Sequence, residues 1–123
     1  MKITINDNRK ISVLQEEFNT VFPYLKIEFF SKPHLAGRGS AKQYMNPNSK
    51  TLGECRTIHN KGELIINPQT TVADLEESFR KLYGLSVQVF RKSGKVWLET
   101  TVTDNWTLEE QNLQGEALSK KAV

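Results

Sequence analysis

Residues 63–90, ELIINPQTTVADLEESFRKLYGLSVQVF, change hydrophobic period twice, and those changes decide the fold. Leu64 to Asn67 opens as a short apolar run of strand type. Val72, Leu75, Phe79 and Leu82 then recur at intervals of three and four, which places them on one stripe of a helix. Thr71 and Asp74 form a capping box ahead of that stripe, and Gly84 supplies a left-handed stop behind it. From Leu85 the period returns to two, with Leu85, Val87 and Val89 on one strand face and Ser86, Gln88 and Phe90 on the other.

The same grammar occurs earlier in the chain. Ile3-Thr4-Ile5-Asn6 corresponds to Leu64-Ile65-Ile66-Asn67, and Leu14, Glu16, Phe18, Leu25 and Phe30 correspond to Leu75, Glu77, Phe79, Leu85 and Phe90. The offset is 61 residues through the helix and, after Tyr24 is skipped, 60 through the following strand. Eight of the 30 aligned pairs are identical. Pro23 ends the first helix because it lacks an amide hydrogen and disfavours helical geometry at Phe22. At 123 residues the chain has room for one ordinary core, so a repeat means two halves of one domain, residues 2–32 and 63–92. Strand, helix, strand, taken twice, predicts an α+β, ferredoxin-like split βαβ arrangement, with two helices on one sheet face and the other face open.

Three segments break the repeat. Residues 31–62 form an excursion too long for a hairpin, and Ser31 to Gly53 carries Lys32, Arg38, Lys42 and Lys50 with no acidic residue, which reads as a mobile basic loop. Leu52 to Ile58 fits a short helix or a strand equally well. After the second copy, Lys92-Ser93-Gly94-Lys95 predicts a hairpin looped at Ser93-Gly94, with Phe90 facing Trp97 and an added C-terminal strand over 96–102. Thr107 and Glu110 form a further capping box and start a tail helix running to about Lys120. Its apolar stripe, Leu108, Leu113, Ala117 and Leu118, is thin and interrupted by Gly115, so the helix is expected to dock loosely.

Composition narrows the class. Hydrophobic content of 37%, charged content of 25% and a mean hydropathy of −0.51 describe a globular chain, with no apolar run of the roughly 20 residues that span a bilayer. The first ten residues lack the apolar core of a secretory signal, and the single Cys55 rules out an internal disulfide framework, so a cytoplasmic location is expected. A net charge of +3 is compatible with nucleic acid without requiring it.

The strings LQEEFNTVFPYLKIEFF, LGECRTIHNKGE and GLSVQVFRKSGKVWLETTVTDNWTLEEQN together resemble a family of small uncharacterised bacterial proteins. The resemblance covers nearly the whole chain. It implies a bacterial, single-domain protein and supplies no activity, ligand or catalytic residue.

The strongest functional signal is the open face. With Val87 and Val89 turned toward the helices, Phe90, Trp97 and, by the repeat, Phe30 share the other side, an aromatic patch of the kind that marks an interface. The preferred reading is a non-enzymatic module that binds protein or a second copy there, with the C-terminal tail as another cover. The alternative is single-stranded nucleic acid, with bases on Phe90 and Trp97 and phosphates on Arg91, Lys92, Lys95, Arg38 and Lys42. The chain lacks the RNA-recognition signature, which weighs against that alternative. Ala36 to Lys42 resembles an anion-cradling loop only in composition and does not match the phosphate-loop pattern. A second alternative is a small enzyme using Cys55 and His59, which share a face if their segment is helical; structural roles for both are the simpler expectation. Glu16-Glu17 and Glu76-Glu77 fall on the polar sides of the helices, where solvation accounts for them. No cofactor, metal ligand set or catalytic residue is expected.

Overall fold

The computed structural model describes residues 1–33 and 38–120 and shows an α+β fold with three helices and two antiparallel sheets. In chain order the elements are β1 (Lys2–Ile5), α1 (Ile11–Val21), β2 (Leu25–Phe30), β3 (Gly62–Ile65), α2 (Val72–Tyr83), β4 (Ser86–Ser93), β5 (Val96–Glu99) and α3 (Leu108–Lys120). Among the described residues no helix is long and apolar enough to cross a membrane. The helix signals correspond to observed contacts. The Thr71 hydroxyl accepts from the Asp74 amide at 3.1 Å, Gly84 adopts φ 62°, and Thr107 and Glu110 exchange side-chain-to-backbone bonds at 3.0 and 3.1 Å.

Strand pairing departs from the expected split arrangement. A single ferredoxin-like sheet would keep β2 and β4 on opposite outer edges, whereas among the described residues β1 pairs with β3 alone, and β2-β4-β5 form a separate sheet. Burial gives the physical reason. β1 and β3 alternate buried and exposed residues, but Val87, Gln88, Val89 and Phe90 are buried in succession, so β4 must be covered on both faces and flanked on both edges. Both registers set aligned residues opposite one another: Ile3 faces Leu64 and Glu28 faces Gln88. Ile3, Ile5, Leu14, Phe18, Ile27, Phe29, Leu75, Phe79 and Val89 belong to one buried cluster between the strands and helices, in which Phe29 meets Phe79 edge-on at 5.8 Å.

The tail helix docks through a stripe that its apolar pattern concealed. Leu108, Gln111, Asn112, Gly115 and Ser119 share one face at helical spacing. Gly115 is buried against Tyr24 and the Lys92 carbonyl, close enough that a Cβ would collide with Tyr24. Asn112 accepts from the Tyr24 amide at 2.9 Å, and Ser119 accepts from the Gly94 amide at 3.2 Å. The glycine that seemed to interrupt the helix is its contact point.

Candidate interaction surface at the edge strand

The hairpin that presents β5 turns at Gly94-Lys95, one residue later than expected. Gly94 takes φ 63° while no non-glycine residue among the described ones has positive φ, as a two-residue turn with glycine first requires. Ser93 therefore faces Val96, Lys92 faces Trp97, Arg91 faces Leu98 and Phe90 faces Glu99. Each partner moves by two positions, an even number, so Phe90 and Trp97 still share a face as diagonal neighbours.

That face is not open. Phe30 is 3% exposed and Phe90 9%, and the cover is the excursion rather than the tail or another subunit. Tyr44 and Asn46 exchange backbone bonds of 2.8 Å with Ser31 and Phe29 and so extend the β2 edge. Ser40 reaches Gln88 at 3.4 Å, and Gly39 lies so close to Glu99 that a Cβ would overlap its carboxylate. The described part of the excursion is thus built into the fold: Lys10 bridges Thr51, and Leu52 is fully buried. Its anion-loop reading includes residues 36 and 37, which lie outside the described residues, as does His34.

Of the residues singled out for binding, Phe90, Lys92, Trp97 and Lys95 meet at this hairpin, while Phe30 stands beyond the Glu28–Gln88 pair at the other end of the face. Arg38 and Lys42 are exposed on the covering segment. A residue that the sequence reading missed completes the cluster: Lys26 places its ammonium 5.3 Å from the Phe90 ring centre and 5.2 Å from that of Trp97, and Lys92 lies 5.9 Å from Trp97. The pairing of Lys26 with Phe90 across β2 and β4 has no signal in sequence until the register is known. Arg91, assigned to phosphates in the nucleic-acid reading, is used internally, donating to Gln111 at 2.8 Å and lying 5.6 Å from the Trp106 ring. Burial pulls its guanidinium below its ordinary pKa.

The outer edge and the second face of β5 differ from this covered side. Thr100 donates to the Val89 carbonyl and Lys92 to that of Tyr24, which fixes the alternation: Val96 and Leu98 point their backbone groups toward β4, and Trp97 and Glu99 point theirs away from it. No strand pairs with that outer edge among the described residues. Val96 is 55% exposed and Leu98 44%, on the helix side, where α3 packs chiefly on β4. No family model, curated protein or solved structure matches the chain.

The Cys55–His59 pair is not assembled. The 3-10 turn ends at Cys55, and Arg56 is extended at φ −148°, ψ 161°, so a spacing of four no longer means a shared face. Burial pushes the Cys55 thiol up, away from the thiolate form. His59 instead places Nδ1 3.0 Å from Asp7 Oδ1, the same oxygen that accepts from Arg56 at 2.9 and 3.1 Å. The Arg56 side chain is fully buried and also donates to the Tyr83 carbonyl at the C-terminus of α2, at 3.0 Å. Among the described residues no group of three or more His, Cys, Asp or Glu is placed to hold a metal ion. Glu76 is more than a solvated helix residue, since it accepts from the Val89 amide of β4 at 3.0 Å.

Proposed function

We propose that this protein is a non-enzymatic binding module that takes up an extended protein segment along the outer edge of β5. The carrying observation is the combination at that edge of outward-pointing Trp97 and Glu99 backbone groups with exposed Val96 and Leu98. Backbone groups of this kind give affinity to an added strand, and alternate side chains give it selectivity. The two aligned halves serve as the scaffold that fixes the hairpin, and the basic segment closes the aromatic face behind it. Lys26 and Lys92 above the Trp97 ring favour a protein partner over stacked bases, because a base would have to displace them.

Selection of displayed peptides against the immobilised full chain tests this reading. Enriched peptides should alternate apolar and polar residues, and Val96→Lys/Leu98→Lys should abolish their binding. Absence of enrichment, or binding indifferent to that double substitution, would overturn it.

A further inference from the structure

We infer that β5 pairs antiparallel with β5 of a second copy, in the register that sets Trp97 opposite Trp97, an inference that rests on the edge-binding reading and names its partner. Residues 95–99, Lys-Val-Trp-Leu-Glu, are complementary to their own reverse. In this register Lys95 faces Glu99 of the other copy at both ends, and Val96 faces Leu98 twice. Lys95 and Glu99 are exposed and take part in no ion pair among the described residues.

The backbone supports the same register. Trp97 points its N–H and C=O outward, so a twofold axis between the two Trp97 residues creates a hydrogen-bonded pair, while Lys95, a turn residue just before β5, reaches Glu99 of the other copy through its side chain rather than through the backbone ladder. The intervening Val96 and Leu98 become non-hydrogen-bonded pairs, whose side chains approach more closely, and four exposed apolar side chains are buried together on the helix side. Centring the axis on Val96 or on Leu98 keeps strand pairing but loses both Lys–Glu matches. Opposite charges across a strand pair favour a register, and like charges disfavour one. The product is a six-stranded sheet, β2-β4-β5-β5-β4-β2, of ordinary size.

Sedimentation equilibrium of the full chain at low salt, from roughly 10 μM to roughly 1 mM, tests the pairing over the affinities a small interface reaches. The wild type should dimerise as concentration rises. Lys95→Glu and Glu99→Lys should each weaken dimerisation about tenfold or more, because each sets like charges opposite one another. An equimolar mixture of the two variants should recover it as a heterodimer, since every cross-pair is then opposite in sign. A wild type monomeric throughout, a dimer unchanged by either variant, or a mixture that does not recover would each overturn the register. A monomeric wild type that still captures selected peptides at β5 leaves the edge-binding reading standing with another partner; failure of both measurements removes both.

Discussion

The β1–β3 ribbon and the β5 edge both present strand backbone outward, but only the ribbon is blocked. Ile66 and Met1 exchange bonds at the end of the ribbon, so Thr4 and Glu63, three and three positions along, direct their carbonyls to its two outer edges. Arg9 donates to the Thr4 carbonyl at 2.8 Å, and the Tyr83 hydroxyl donates to that of Glu63 at 3.3 Å. The far edge of β2 is treated alike, with Gln15 donating to the Ile27 carbonyl at 2.8 Å and the Tyr44–Asn46 segment alongside. Side-chain plugs are one way in which folds suppress edge-to-edge association. Among the described residues no side chain caps the Trp97 or Glu99 backbone groups on the outer edge of β5 in this way.

The largest effect belongs to the support of the blocked side. Arg56→Ala removes a buried guanidinium that joins Asp7 to the end of α2, and thermal or urea unfolding should show a loss of about 3 kcal/mol. A variant as stable as wild type would mean that this junction does not hold the ribbon. Next comes removal of the plugs themselves. Arg9→Met with Tyr83→Phe should cost about 1 kcal/mol for each lost bond. It should also create association in a Glu99→Lys background, read by light scattering, because a second edge becomes available. The open side should behave in reverse: Leu98→Lys should change stability by less than about 0.5 kcal/mol while strand binding falls about tenfold.

How far these regions could be read from sequence follows from the range of the forces involved. Helix caps and Gly84 act within a few residues, so the helices were legible in place and extent, but the α2 stripe ends on buried Tyr83 rather than on the expected Leu82, which is exposed. Pairing was not, because the cover over Gln88 and Phe90 comes from Ser40 and its neighbours, a segment with no hydrophobic period. The hairpin register turned on which of two residues Gly94 precedes or follows in the loop, a difference that local composition does not resolve. Gly115 looked like a helix defect because close approach to Tyr24 is a tertiary fact. The junction of Asp7 with Arg56 and His59 carried no signal, because it joins positions 49 and 52 residues apart, and His59 stood out only beside Cys55.

The smallest effect is a pH dependence confined to the blocked side. The hydrogen bond from His59, and then that from Arg56, hold the Asp7 carboxyl below its ordinary value of 3.8. A carboxyl with a depressed folded pKa binds its proton more readily in the unfolded chain. Its contribution to stability is therefore present above the ordinary value and is lost as pH falls from there through the depressed folded value. Urea midpoints measured from neutral pH down into that acid range should thus fall less steeply in Asp7→Asn than in wild type. The same substitution should leave β5-mediated association unchanged at neutral pH, since Asp7 has no contact with the hairpin among the described residues. A change in association would mean that the ribbon and the open edge are coupled through the core, and the two sides could no longer be treated as independent.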